Sequence, residues 1–504
     1  MGNNKNYRSN FNIDHIKNGL KNHVASSGIA IVIAQIMQIV LQIGSMAILA
    51  RLLTPADFGL IAMVGTVFSF VIIFQDAGLS VATVQSENIS HSQISTLFWL
   101  GLALSIVIML LVTIMAPLIA IFYGEPRLTG ITLSLSTTFL LSGLCIQQKA
   151  LLQRQMRFAS LAVIDISSLV VGIVIAVALA TLGVKYWSLV AMSIATALTS
   201  ALLSWLVIDW RPGMPGKVMD VRPLLAFGGN FTCSQLLVYF IRDIDQLLIG
   251  KVWGASSLGL YSRANKLVFM PTSIFLYPIS NVVISALSRL QNDWPRYRKY
   301  YFRALTVTTA CGMPISLFFF IEADDLINIL LGQQWTGAVP IARALCISAF
   351  SKTVIGASSW TYISLGHTKR LLLWHVIQAP LSILAILVGL PWGPIGVATS
   401  ISIGELLIRV PATVFALRGT PIQLYDVGIS IWRPALASIS AAALVAVLIN
   451  FVLQHFGLFA RFSITIATYG SIYLAIWLLL PGGRKTLTEL FDLVRKIRPQ
   501  RKNI

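Results

Sequence analysis

The chain has 504 residues, of which 56% are hydrophobic and only 11% charged, whereas soluble domains carry about a quarter charged residues. At about 20 apolar residues per helical span and about 10 per connection, this length holds at most roughly sixteen spans and leaves no extramembrane domain with a core of its own. An enzyme carrying a soluble nucleotide-sugar or ATP domain on this chain is excluded, and the net charge of +19, spread over short loops, reads as a topology signal facing anionic lipid rather than a nucleic-acid surface.

A polar leader, 1–24, precedes the first apolar run, 25–50. Ser45-Met46-Ala47 loosely resembles a signal cleavage site, but the run continues past it to Ala50, so an uncleaved first span is expected. Further spans are expected at 58–82, 96–121, 128–147, 159–181 and 186–208, completing an N-terminal six-helix bundle over 25–208. A cytoplasmic linker, 209–223, leads to a second six-helix bundle over 224–417, with spans at 224–249, 258–287, 304–321, 339–365, 371–390 and 394–417. Two C-terminal helices, 431–453 and 462–480, fill 418–481, and a basic cytoplasmic tail occupies 482–504. The expected fold is an all-α integral membrane protein of about 14 transmembrane helices.

With the N-terminus in the cytoplasm, the odd-numbered connections hold only Arg51, Arg127, Lys185, Lys251 and Arg461, while the even-numbered ones and the two ends take most of the 37 basic residues. That bias puts both termini in the cytoplasm. It also requires the segment 224–249 to cross, although it carries Arg242, Asp243 and Asp245, because every later connection would otherwise invert. Ionisable groups in a span are costly unless they face protein or water, which makes this the most informative helix of the chain. Cys145, Cys233, Cys311 and Cys346 lie in apolar runs without paired spacing, so no disulfide framework, metal site or cofactor is expected.

Polar residues fall into stripes. Gln235, Tyr239, Arg242 and Gln246 share about 40° of helical arc, and Arg263, Lys266, Met270, Ser273, Tyr277 and Asn281 share about 80° on the following span. Gln35, Gln38, Gln42 and Ser45 form a quieter stripe whose amides suit hydroxyl-rich ligands. Arg242, Arg263, Lys266 and Arg343 lie at one level, roughly 6 to 12 Å from the same end of their helices. Two readings stand: the stripes line a water-filled, anion-binding cavity, or Asp243 and Asp245 neutralise Arg263 and Lys266 in a structural cluster while the glutamines bond to neighbouring helices. Glu405 is expected to pair with Arg409 one turn on, Lys352 and His375 to be lone packing or snorkelling groups, and Pro271, Pro278 and Pro314 to kink their helices.

The stretch Ala50-Arg51-Leu52-Leu53-Thr54-Pro55-Ala56-Asp57-Phe58-Gly59-Leu60 recurs in pattern, 200 residues later, as Gly250-Lys251-Val252-Trp253-Gly254-Ala255-Ser256-Ser257-Leu258-Gly259-Leu260. Ile119 to Gly124 is echoed by Ile327 to Gly332, and Val190-Ala191 by Val397-Ala398. Repeats an even number of spans apart keep their orientation, which implies two bundles related by an axis along the membrane normal and enclosing a cleft.

These residues, with Asp76-Ala77-Gly78-Leu79, Gln85, Asp245, Ile249-Gly250, Leu258 to Ala264, and Gly332 with Trp335, resemble the polysaccharide flippases of the Wzx or PST type in the multidrug/oligosaccharidyl-lipid/polysaccharide (MOP) exporter superfamily. Gln333 stands where an acidic residue would be expected. The resemblance implies a transporter, not an enzyme, of the bacterial inner membrane. It would move undecaprenyl-diphosphate-linked oligosaccharide repeat units by alternating access for exopolysaccharide, capsule or O-antigen biosynthesis, with membrane lipids and polysaccharide polymerase or export machinery as partners. A cleft serving that substrate would use Arg242, Arg263, Lys266 and Arg343 for the diphosphate, and Gln235, Tyr239, Gln246, Tyr277, Asn281, Gln35, Gln38 and Gln42 for the glycan. Asp245, and then Asp243, Asp76, Asp165 and Glu405, are the candidates for exchanging a coupling ion. A cation or drug exporter of the same superfamily is the alternative, opposed by the basic excess inside the spans. A membrane glycan polymerase or ligase is opposed by the shortness of the longest periplasmic loop, Glu322 to Ala338, and by the lack of a Ser/His/Asp or metal cluster.

Overall fold

The computed structural model describes residues 20–76, 78–86, 89–216, 236, 239, 242–451, 456–484 and 487–488. Among them there is no strand. The first helices are α1 (Leu20–Leu52), α2 (Pro55–Asp76), α3 (Leu79–Gln85), α4 (His91–Tyr123), α5 (Arg127–Arg154), α6 (Phe158–Thr181), α7 (Trp187–Val207) and α8 (Ile244–Arg289), which is broken at Gly254, where φ is +77° and ψ −177°. There follow α9 (Trp294–Ile321), α10 (Ala323–Leu330), a 3-10 turn (Gln333–Ala338), α11 (Val339–Lys352), α12 (Ile355–Ser364), α13 (Thr368–Gly389), α14 (Gly393–Leu417), α15 (Leu424–Phe451) and α16 (Leu458–Leu479).

The expected spans fall on these helices except in three places: 58–82 is divided between α2 and α3, 339–365 is divided between α11 and α12 with a bend of 41°, and 224–249 cannot be followed. That segment lies mostly outside the described residues, as do Gln235, Cys233, most of the leader, part of the 209–223 linker and most of the tail. Ten helical stretches and two bent pairs among the described residues are long and apolar enough to cross a membrane, so the chain is a multi-pass membrane protein. One of the ten stretches, Thr368–Leu417, is a hairpin: Gly389 lies against Gly396 and Ser400, and Gly404 against Ala385. The described residues alone do not establish a count of fourteen.

Local chemistry sets the breaks. The Thr54 N–H and hydroxyl both donate to Asp57, at 2.9 and 2.7 Å, and the Asp57 N–H returns to the Thr54 hydroxyl at 3.3 Å. With Pro55 at the first helical position, this capping box starts α2 as soon as α1 ends. Ser90 and Gln93 form another at the start of α4. The second span is not continuous over 58–82 as expected: Gly78 has φ of +70°, a conformation that favours glycine, and the chain restarts as α3. The expected proline bend is present, since α8 turns by 44° between Ser273 and Pro278. The connection from Glu322 to Ala338, expected as a short loop, is packed structure. Leu326, Ile327, Leu331, Trp335 and Ala338 are all buried, because the apolar face of α10 folds back onto the bundle.

The chain divides into two compact units, Met1–Gly259 and Leu260–Ile504. In the first, α4 packs on α5, α7 on both α5 and α6, and α1 on α6. Small residues permit the approach: Gly143 sits against Ser105, and Gly172 against Thr196 and the Met192 carbonyl, as in helix pairs that associate in lipid. Its core gathers Leu97, Phe98, Leu151, Leu152 and Trp210. In the second unit α9 packs on α15 and α11, α14 on both α11 and α13, and α15 on α16. Tyrosines are its bolts, with the Tyr301 hydroxyl donating to the Ala357 carbonyl and the Tyr473 hydroxyl to the Ala310 carbonyl, each at 2.9 Å. Ile121, Leu182, Leu206 and Leu407 point outward, an apolar exterior suited to hydrocarbon.

The two copies of the repeated motif pack reciprocally. A side chain at Gly59 would meet the Ala255 carbonyl oxygen at 1.7 Å, and one at Gly259 would meet the Pro55 carbonyl oxygen at 1.8 Å. Position 59 thus faces 255 as 259 faces 55, so the sequence offset is repeated in space. Only glycine allows backbones this close.

Candidate functional site

Of the expected cationic set, Arg242 falls in the first unit and Arg263, Lys266 and Arg343 in the second. Arg242 is 70% exposed and pairs with Asp243 at 3.2 Å. One turn earlier, Tyr239 is buried, its ring 5.3 Å from that of Phe70 and its hydroxyl donating to the Thr66 carbonyl at 3.1 Å. The hydroxyl is therefore spent on α2. Asp245 is 6% exposed and accepts from the Gln246 N–H at 2.7 Å; the Gln246 side chain is half-buried. On α1, Gln35, Gln38 and Gln42 are half-buried, and no described residue bonds their amides. Ser45 is buried and donates to the Gln42 carbonyl at 3.0 Å. Asp165 pairs with Lys149 of α5 at 2.8 Å. Asp76 ends α2, and its side chain lies outside the described residues.

In the second unit, Arg263 is half-buried and Lys266 exposed, one turn apart on α8. Among the described residues no carboxylate pairs with Lys266. Asn281 is exposed farther along the same helix, while the Tyr277 side chain lies outside the described residues. Arg343 is paired with Asp324 across the α10–α11 corner.

Glu405 does not bridge to Arg409. Its Oε1 lies 3.1 Å from Lys352 Nζ on α11, and its Oε2 accepts from the Ser348 hydroxyl at 2.5 Å. Arg409 donates from Nε to the Ser351 hydroxyl at 3.1 Å. Helix spacing favours the intrahelical pair, but α11 packs against α14 and offers a closer partner. Lys352 is accordingly no lone snorkelling group; its ammonium also stands 4.1 Å from the Phe269 ring centroid, within cation–π range.

Several polar groups escaped the sequence reading. Gln75 donates to the Ser105 hydroxyl at 3.2 Å and the Phe139 carbonyl at 2.7 Å. Thr83 donates to Gln147 at 2.9 Å, and Arg154 reaches the Thr83 and Ser86 carbonyls. Gln148 is buried, and neither of its amide atoms is bonded among the described residues. Glu322 is buried at the α9–α10 junction. Its only sequence signal was an acidic residue at the end of an apolar run. The described residues contain no group of three metal-ligating side chains, and Cys145, Cys311 and Cys346 are free thiols.

The family described as polysaccharide biosynthesis protein matches residues 48–340, more than half of the chain and all of the motifs from the repeat to Trp335. The chain belongs to the polysaccharide biosynthesis protein family. This family member is 24% identical to the lipopolysaccharide biosynthesis protein WzxC of Escherichia coli over 76% of its own length and 78% of that protein. It is 27% identical to the succinoglycan biosynthesis transport protein ExoT of Rhizobium meliloti, covering 90% of its own chain and 92% of ExoT. The teichuronic acid biosynthesis protein TuaB of Bacillus subtilis is 24% identical, with 90% and 94% covered. Among solved structures, the lipid II flippase MurJ in an inward closed conformation superposes with a TM-score of 0.73 at 18% identity, covering 89% of this chain and 98% of that one. An inward-facing multidrug resistance MATE family transporter of the MOP superfamily gives 0.58 at 14% identity, with 76% and 97% covered. The all-α fold of this polysaccharide biosynthesis protein is that of MOP transporters, in agreement with the family resemblance of its motifs.

Proposed function

We propose that this protein is a flippase that carries an undecaprenyl-diphosphate-linked oligosaccharide across the bacterial inner membrane, a transporter rather than an enzyme. Family membership, relatives named for lipopolysaccharide biosynthesis and succinoglycan transport, and the MurJ-like fold all support that reading. The observation that carries it is Lys266. An ammonium on an apolar helix, exposed and without a carboxylate among the described residues, needs water or an anionic ligand in place of a protein partner. A diphosphate supplies that anion, and Arg263 one turn away adds a guanidinium suited to phosphate oxygens. The half-buried amides of Gln35, Gln38 and Gln42 offer donors and acceptors to glycan hydroxyls. A cationic drug would be repelled by the same helix.

On this reading the two repeats alternate between inward and outward states with both termini in the cytoplasm, and Asp245 beside Arg242 is the coupling carboxylate. Protonating it adds one net positive charge to the site and tightens the hold on diphosphate; deprotonation assists release. The reading is tested by titrating the purified protein with a defined lipid-diphosphate sugar and its monophosphate analogue. Lys266→Gln should weaken diphosphate binding roughly 10- to 100-fold, the worth of one charge-assisted hydrogen bond, with a smaller change for the monophosphate. Equal diphosphate affinity of the variant and the wild type would refute it.

A further inference from the structure

Glu322 closes α9 and opens α10. It is 2% exposed, and its Oε2 has no hydrogen-bond partner among the described residues. Asp324 and Asp325 of α10, Arg343 of α11, and Arg461 and Thr465 of α16 supply its polar surroundings. Arg461 binds Asp325 through both Nε, at 2.5 Å, and Nη2, while Arg343 binds Asp324. Helix α15, which also packs on α9, adds no charge at this end, because its two charged residues sit near its own start, where Asp426 pairs with Arg298 of α9 at 2.6 Å and Arg433 donates to the Pro481 carbonyl at 2.9 Å.

Two arginines therefore serve two aspartates, and Glu322 is the surplus acid. Being buried costs an ionised carboxylate most of its hydration, and the neighbouring Asp325 adds repulsion. Burial first and Asp325 second push the Glu322 carboxyl up to about 7, against the smaller downward pulls of Thr465 and Arg461.

We propose that Glu322 is a proton-binding site whose occupancy sets how firmly α16 is clamped to α9 and α10 through Arg461. With the proton bound, Arg461 serves Asp325 alone and the bidentate clamp is complete. With the proton lost, two buried carboxylates compete for one guanidinium, and Asp325 is repelled by its new neighbour. Because the carboxyl is raised above its ordinary value of 4.5, the clamp is fully present below that value and weakens as pH rises through about 7. On the topology proposed above this end faces the periplasm, so the ligand is the external proton; the binding itself does not depend on the transport reading.

The test is an infrared-difference pH titration of the full-length protein in lipid nanodiscs, paired with hydrogen exchange at the start of α16 corrected for the intrinsic pH dependence of exchange. The wild type should lose a protonated-carboxyl C=O band with a midpoint near 7, and exchange around Arg461 should rise over the same interval. Glu322→Gln, which mimics the protonated state, should abolish the band and keep exchange low at every pH. Asp324→Asn, which removes the smallest of the repulsions on Glu322, should move the midpoint down only slightly and keep the rise in α16 exchange coupled to it. A wild-type band that titrates in the ordinary carboxylate range, or one that persists in Glu322→Gln, would overturn the proton site. A band that titrates near 7 with no change in α16 exchange would overturn the clamp.

Discussion

Deep in the first unit, neighbouring helices are joined by amides and hydroxyls: Gln75 ties α2 to α4 and α5, and Thr83 ties α3 to Gln147 of α5. In the second unit the corresponding work falls to ions, with Lys352 on Glu405 between α11 and α14 and Arg461 on Asp325 between α16 and α10. Neutral hydrogen bonds hold helices at a cost that hardly changes with pH or with a passing charge. Ion pairs tie helix packing to the protonation and occupancy of nearby sites, because removing either charge strands the other. Both units thus contain packing that answers to charge, but in the second it reaches a buried carboxylate, Asp325, whereas the first unit's pair, Lys149 on Asp165 between α5 and α6, is partly exposed at both ends.

The sharpest way to break this comparison is to remove one member of an ion pair. Lys352→Met should destabilise the protein by about 3 kcal/mol, read as a lowered melting temperature in detergent, and Lys352→Met with Glu405→Leu should recover most of the loss. No recovery in the double variant would mean that the pair is not the interaction lost. Next in size is the reciprocal crossing, where the two copies of the repeat are alike. Gly59→Ala and Gly259→Ala should each cost about 2 to 3 kcal/mol through overpacking, and by nearly equal amounts. Gly65→Ala, with open space around it, should instead be neutral or stabilising by up to about 1 kcal/mol. Unequal effects at 59 and 259 would show that the spatial reciprocity carries no energetic symmetry.

Within the neutral network of the first unit the effects should be smaller. Thr83→Val strands the Gln147 carbonyl oxygen and should cost about 1 kcal/mol. Gln148→Leu removes a buried amide that no described residue bonds and should be neutral or slightly stabilising, by less than about 1 kcal/mol. A large loss in Gln148→Leu would show that this amide binds something the helices do not supply.

The spans and the repeat were legible in the sequence because apolar periodicity and the Thr54-Pro55 and Gly259 signals act locally. Side-chain partnerships were not. Glu405 and Arg409 have ideal intrahelical spacing, yet Lys352, far away in sequence, takes the carboxylate because α11 packs against α14. Glu322 read as one acid in a periplasmic loop; its burial depends on α10 folding back, and its neighbour Arg461 belongs to the last helix. Arg343 had the right depth for the substrate cations, but depth along a helix does not reveal that Asp324 is within reach.

The central claim is that α8 presents Lys266, with Arg263, to the diphosphate of a lipid-linked glycan that the protein moves between leaflets. It is tested most directly in proteoliposomes holding a fluorescent lipid-diphosphate oligosaccharide, by following its exposure to a membrane-impermeant reagent in the opposite leaflet. The wild type should expose the glycan well above the protein-free rate, and the Arg263→Gln/Lys266→Gln variant, inserted at equal abundance, should not. Translocation by that variant at the wild-type rate would contradict the account.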